Sequence, residues 1–147
     1  MPVLDLLKTY AHRIREQRRA NPDAAETALA PAFQQLLQDL IPLLPVAANL
    51  VVSPEFRTPG VGRPDIALKR VGAPARAFVE LKAPSKPADP TRWRAQDKTQ
   101  FGRFQELPCW AASNFFEMRL FFRAEEQMSA IIVPEQCLKP DRDDARA

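Results

Sequence analysis

The segment GRPDIALKRVGAPARAFVELKAPSK constrains the fold of this chain most, because it holds two short apolar runs separated by a turn. Runs of this length, bounded by proline and glycine, predict two neighbouring strands, over residues 64–70 and 76–83. Both strands carry charge: Asp65 opens the first, and Glu80 and Lys82 interrupt the second. Charged groups in a strand pair are unfavourable unless they are solvated or have partners, so these three positions are candidates for a functional site.

The two carboxylates are spaced evenly about the turn. Asp65 and Glu80 are equally far from the pair Gly72-Ala73, so strands that pair around it place the two side chains opposite each other, with Cβ atoms ~5 Å apart. A bulge at Pro74 would shift this register by one residue. Like charges in opposite positions destabilise a sheet, and a divalent cation between them would offset the repulsion. Oxygen ligands on two strands suit Mg²⁺.

Lys82 follows Glu80 by two residues, so both side chains project from the same face of the strand. An ammonium there can orient a water or stabilise charge on a reacting phosphate. Together with Asp65, these side chains predict a site for phosphodiester hydrolysis. Taken separately, they also fit an aspartate that opens a strand and a solvated edge with a weak charge pair.

The rest of the chain predicts an α/β fold. Apolar periodicity and turn residues predict helices over 3–20, up to Leu40 and over 93–107, and strands over 46–56, 109–114 and 115–123. Pro31 either kinks the second helix or moves its start to near Thr27. Strands of both directions with helices packed against them form a three-layer sandwich with a mixed sheet.

The composition fits one domain without a membrane segment. At 147 residues, 46% of them hydrophobic, the chain can build one core. We expect a single domain over 1–138, with helices within 3–40 and the core sheet and helix within 46–123, and a polar tail over 139–147 that would link to a further domain. The apolar runs are too short to span a membrane. Two cysteines without metal spacing predict a cytoplasmic protein, and a single histidine argues against zinc sites.

PD, fourteen residues and then ELK form a pattern that resembles the signature of the PD-(D/E)XK nuclease superfamily. Glu26 precedes it on a predicted helix, and Gln100-x-x-x-Phe104 follows on another, with phenylalanine where the family usually has tyrosine. The stretches GRPDIAL, AFVELKAPSK, QFGRF and FFEMRLFF are most similar to the amino-terminal nuclease domains of bacterial restriction-modification polypeptides, of type I or type ISP-like organisation. The resemblance covers roughly residues 24–123.

This resemblance implies a restriction-endonuclease-like core and Mg²⁺-dependent cleavage of DNA, with Mn²⁺ as a substitute. It implies the following roles: metal ligands Asp65, Glu80 and the Leu81 carbonyl, catalytic lysine Lys82, auxiliary acid Glu26, and Gln100 to orient the site or contact the DNA backbone. The implied partners are DNA, methyltransferase or translocase domains or subunits, and a second copy for double-strand cleavage.

Some assignments keep an alternative. A basic cluster near the predicted site suits DNA phosphates, or is a solvated helix face: Arg92, Arg94, Lys98 and Arg103. Glu26 either points toward the site or lies at a helix end in contact with water. Gln100 is either a functional residue or a buried amide whose hydrogen bonds are satisfied. The alternative functions are a catalytically inactive nuclease fold that binds DNA or assembles a complex, and an interaction domain with an accidental motif.

Overall fold

The computed structural model describes residues 2–22, 26–44, 50–54 and 64–139. Its helices and strands in chain order are α1 (Pro2–Ala20), α2 (Glu26–Leu40), β1 (Leu50–Pro54), β2 (Ile66–Arg70), β3 (Ala77–Leu81), α3 (Ala95–Phe104), β4 (Trp110–Ser113), β5 (Glu117–Phe122) and β6 (Glu125–Ile131). The strands form one sheet in the order of the chain. β3 and β4 are parallel and joined through α3, and the other pairs are antiparallel.

Helices cover both faces of this sheet. Successive side chains of a strand point to opposite faces. Val79 and Leu81 therefore pack in the core beneath α1 and α2, whereas Phe78 packs with Phe104 of α3 on the other side. The predicted three-layer α/β sandwich with a mixed sheet is confirmed.

The β2–β3 hairpin has the register that its sequence predicts. Ile66 pairs with Val79 and Ala67 pairs with Phe78, so the strands are symmetric about the turn and Pro74 does not shift them. Gly72 has a φ of 77°, a left-handed conformation that glycine adopts without steric cost.

Several element boundaries differ from the sequence prediction. α2 begins at Glu26 and continues through Pro31. α3 ends at Phe104, so Leu107 lies beyond the helix although it is buried. β1 covers Leu50–Pro54, and the remaining residues of the predicted strand, 46–49 and 55–56, lie outside the described part of the chain.

The sequence prediction missed β6. A two-residue turn, Arg123-Ala124, joins it to β5, and Arg123 has a φ of 58° without being glycine. Tertiary hydrogen bonds hold this backbone: the Arg123 N–H donates to the Leu107 carbonyl at 3.0 Å, and Trp110 Nε1 donates to the Arg123 carbonyl at 2.8 Å. These contacts stabilise the turn without the glycine or asparagine that usually marks a hairpin.

Within the described ranges, no helix combines the length and the apolar character that crossing a membrane requires. Of the predicted tail over 139–147, the structure describes Lys139, and residues from 140 onward lie outside it.

Candidate active site

The hairpin brings the two predicted carboxylates together. Continuing the observed register by one residue from Ile66 and Val79 places Asp65 opposite Glu80. Alternation along β3 puts Glu80 on the α3 side of the sheet, with its side chain buried at 8% exposure. The charge of Asp65 contributes to the raised pKa of Glu80, as expected of two carboxyl groups that lie close together on one face of the sheet.

Pro64 and Asp65 explain why the backbone hydrogen bonding between the two strands is incomplete at this end of the hairpin. The Lys82 N–H donates to the Ser113 carbonyl of β4 at 2.8 Å, so the backbone groups of the preceding Leu81 face the β2 side. The Leu81 N–H donates to Asp65 Oδ2 at 2.6 Å. The same register sets Pro64 opposite Leu81, and proline has no N–H to donate to the Leu81 carbonyl. Asp65 thus accepts from the Leu81 N–H, whereas Pro64 has no N–H that could donate to the Leu81 carbonyl across the strand pair.

Burial dominates the electrostatics of the two acids. Desolvation, followed by the charge of Asp65, raises the pKa of Glu80 from 4.5 to about 8, although Lys82 and Gln100 oppose the rise. Burial also raises the pKa of Asp65 above its ordinary value, against the hydrogen bond from Leu81. Among the described residues, Glu80 Oε2 is buried without a hydrogen-bond partner. A buried acceptor in that condition is costly unless a cation or a water binds it.

Lys82 is held on several sides. Its Nζ donates to Asp97 Oδ1 at 2.8 Å, to Gln100 Oε1 at 2.9 Å and to Glu80 Oε1 at 3.4 Å. The same Nζ lies 4.7 Å from the centre of the Trp93 ring, a cation–π distance. Three acceptors match the three N–H groups of an ammonium, so Lys82 is fixed beside Glu80 as a buried cation.

Asp97 is the main site residue that the sequence prediction missed. Its second oxygen, Oδ2, accepts from Lys86 Nζ at 3.0 Å, so one carboxylate joins two lysines. Burial raises the pKa of Asp97, but the hydrogen bonds from Lys82 and Lys86 outweigh it and hold the pKa below its ordinary value. The three-residue spacing from Gln100 places both on one helix face and was the available signal.

Trp93 and Gln100 have more than a packing role. Trp93 is buried, as expected of a core residue, and its Nε1 donates to the Pro87 carbonyl at 2.9 Å. Its ring also forms a wall of the Lys82 site. Gln100 accepts from Lys82 Nζ through Oε1, so the structure places it next to the predicted site. Phe104, at the position of the family tyrosine, is buried and stacks on Trp110.

Glu26 lies nearby without joining the pair of acids. It is the first residue of α2 and is half-buried. Its charge raises the pKa values of both Asp65 and Lys86. In the part of the chain that the structure describes, no group of three or more His, Cys, Asp or Glu side chains is placed to hold a metal ion. A cation here would therefore depend on two carboxylates.

The predicted basic residues divide into two groups, although all four are exposed. Arg92 and Arg94 line a cleft of about 550 Å³ together with Lys86, Trp93 and Asp97. Lys98 and Arg103 lie on α3 outside its lining. The structure thus connects Arg92 and Arg94 to the site through Asp97, and it does not connect the other two.

The donor set fits a hard divalent cation. Two carboxylates and one carbonyl facing a proline are all oxygen ligands, which Mg²⁺ prefers. The partnerless Glu80 Oε2 lies on the same side of the sheet as Asp65. Water would have to complete the shell, as is usual for protein-bound Mg²⁺.

No protein-family model and no curated protein matches the chain. Among solved structures, the chain is similar to a cryo-EM structure of a DrdV–DNA complex, with a TM-score of 0.71 and 20% identity over 90% of this chain and 90% of that chain. The two share a fold. At this identity the likeness concerns the fold alone, and the mixed sheet flanked by helices is consistent with a restriction-endonuclease-like core.

Proposed function

We propose that this chain is a Mg²⁺-dependent endonuclease domain that hydrolyses phosphodiester bonds in DNA. The observation that carries the proposal is the meeting of Asp65 and Glu80 at the end of the hairpin, with Glu80 Oε2 buried and partnerless among the described residues. Two neighbouring acids, of which Glu80 is buried and Asp65 half-buried, are unfavourable when both are ionised, in agreement with the raised pKa values of both. Such a pair is expected where a bound cation restores the balance of charge.

Each side chain has a role that its contacts support. Asp65, Glu80 and the Leu81 carbonyl would hold Mg²⁺, which when bound supplies Lewis acidity at a phosphate oxygen. Lys82 would stabilise negative charge that develops on the phosphate, because its ammonium is already fixed beside Glu80. Gln100 positions Lys82 through its carbonyl oxygen. Arg92 and Arg94, at the cleft, would bind phosphates of the DNA backbone.

The wider setting belongs to the same proposal. A domain of this kind would act in the cytoplasm within a restriction-modification or related DNA-defence system. It would depend on methyltransferase or translocase domains or subunits for target choice. One site cuts one strand, so double-strand cleavage would need two copies or two successive events.

Cleavage of plasmid DNA by the purified chain tests the function. We expect nicking with Mg²⁺ or Mn²⁺ and none with EDTA. Asp65→Asn and Lys82→Ala should abolish nicking while gel retardation of DNA persists. Glu106→Gln, which removes an exposed charge near the end of α3, is the matched control and should cut normally. Retardation without cleavage by the wild type would instead support the catalytically inactive DNA-binding module, and the absence of both would exclude a role on DNA.

A further inference from the structure

The Asp97 carboxylate joins two lysines of very different exposure. Oδ1 binds Lys82, whose side chain is 5% exposed, and Oδ2 binds Lys86, whose side chain is 48% exposed. Lys82 lies against the acid pair, whereas Lys86 lines the cleft. One side chain on the first turn of α3 therefore connects the buried cation of the site with a cation that solvent can reach.

Asp97 is the strongest fixed partner of Lys82. Its contact with Lys82 Nζ, at 2.8 Å, is shorter than that of Glu80 Oε1, at 3.4 Å. Gln100 is nearly as close but carries no charge. Charged acceptors form roughly twofold stronger hydrogen bonds than neutral ones. Without Asp97, the ammonium would be drawn toward the acid pair and away from helix α3.

Lys86 can change partners without disturbing its loop. Backbone contacts hold the loop: Asn114 Nδ2 donates to the Lys86 carbonyl and Trp93 Nε1 donates to the Pro87 carbonyl, each at 2.9 Å. The Lys86 ammonium, in contrast, is half-exposed and bound to a single carboxylate oxygen. Exposed ion pairs of this kind contribute little free energy, so a phosphate in the cleft can compete for this lysine.

We propose that Asp97 is a positioning residue that holds the Lys82 ammonium in the site, and that Lys86 is a phosphate-contacting residue of the cleft that shares the same carboxylate. The proposal rests on the proposed nuclease function, in which Lys82 stabilises charge on the phosphate and the cleft binds the DNA backbone. A DNA phosphate that binds Lys86 beside Arg92 and Arg94 releases Asp97 Oδ2. Asp97 Oδ1 keeps Lys82 in place throughout, so substrate enters without displacing the buried cation.

The hold of Asp97 on Lys82 is tested first without DNA or metal. Hydrogen exchange of lysine side-chain ammonium groups, measured by ¹H–¹⁵N NMR, should show one slowly exchanging ammonium, assigned to Lys82 by its loss in Lys82→Arg. Asp97→Asn should speed its exchange about tenfold or more, the expected result of losing a charged acceptor. Glu106→Gln removes the same charge elsewhere and should leave it unchanged. Equal exchange in both variants would overturn the positioning role.

Steady-state cleavage then separates the two residues. Asp97→Asn should lower kcat roughly 10–100-fold with little change in KM, as expected for a displaced catalytic group. Lys86→Gln should raise KM more than it lowers kcat, and should reduce the salt slope of DNA binding by about 1. If Lys86→Gln leaves binding and its salt dependence unchanged, the cleft role is wrong. If the wild type binds DNA without cutting it, the nuclease function fails, and ammonium exchange and the salt slope still decide the roles of Asp97 and Lys86.

Discussion

Replacing Glu80 tests two things: whether its burial destabilises the metal-free protein, and whether its carboxylate binds Mg²⁺. We expect Glu80→Gln to stabilise the metal-free protein, because an amide of the same shape carries no charge that burial must desolvate. Its oxygen can still accept from Lys82, as Glu80 Oε1 does. Its N–H₂ can donate to the neighbouring Asp65.

The size of the effect follows from proton linkage. A carboxyl whose pKa rises from 4.5 to about 8 on folding contributes its full stability below the lower pKa, and this stability is lost as pH rises through the higher one. The loss grows by about 1.4 kcal/mol per pH unit between these values and reaches about 3 kcal/mol near neutral pH. The attraction of Lys82 is already contained in this pKa. Against a total stability of about 5–15 kcal/mol, such a gain is readily measured.

Urea unfolding measures the gain. Trp93 and Trp110 are both buried, so their fluorescence reports loss of the core. With EDTA present, Glu80→Gln should exceed the wild type in free energy of unfolding at neutral pH. The difference should widen in mildly alkaline buffer and close in mildly acidic buffer. Glu106→Gln, the exposed control, should stay within about 0.5 kcal/mol of the wild type at each pH.

Saturating Mg²⁺ should reverse the order. A ligand that binds the native state at a thousandfold excess over its Kd stabilises it by about 4.1 kcal/mol, which exceeds the advantage of about 3 kcal/mol that Glu80→Gln has near neutral pH. We expect this gain in the wild type and little of it in Glu80→Gln. Equal stability of the two metal-free proteins in mildly alkaline buffer would refute the reasoning, since it would mean that the buried charge of Glu80 is already compensated. Equal response to Mg²⁺ would exclude Glu80 as a ligand.

Three further predictions concern the frame of the site and are measured by urea unfolding. Gly72→Ala should lower the free energy of unfolding by about 1 kcal/mol, because φ is 77° there. Gly102→Ala should raise it by roughly 0.5–1 kcal/mol, since this glycine lies in α3 with open space around an added Cβ. Changes of the same sign in the two variants would contradict the backbone argument. Tyr10→Phe should cost about 1–3 kcal/mol, because it leaves the buried Phe115 carbonyl without its donor; an unchanged stability would mean that the carbonyl finds another donor. Asp97→Asn should cost about 1 kcal/mol at neutral pH, and because the pKa of Asp97 is lowered, the loss should fade as pH falls through that native pKa; a difference that persists in acid would point to altered packing.

The acid pair could be predicted from the sequence because short-range rules determine it. An even spacing about a glycine turn sets the register, and alternation along β3 then puts Glu80 and Lys82 on one face. These rules involve neighbouring strands alone. The Pro64-Asp65 pair adds a local explanation, since one residue cannot donate to Leu81 and the other accepts from it.

Asp97, Lys86 and β6 were missed because tertiary contacts determine them. The partners of Asp97 are Lys82, directly after β3, and Lys86, in a proline-rich loop. No spacing within the sequence predicts that both lysines contact α3. β6 begins after a turn at Arg123 whose backbone is held by Leu107 and Trp110, so the usual turn residues are absent. In both cases the signal is distributed over segments that are distant in the chain.

The distribution of charge within the site favours one position for the proposed cation. Asp97 has two lysine partners at 3.0 Å or less, so its charge is compensated. In the described part of the chain, Lys82 is the cation whose charge lowers the pKa values of both Asp65 and Glu80, and it contacts Glu80 at 3.4 Å. The deficit of positive charge therefore lies at the acid pair, while the exposed arginines lie at the cleft. Since a divalent cation favours the first position and phosphates the second, the two ligands would bind adjacent parts of one site without competing for the same side chains.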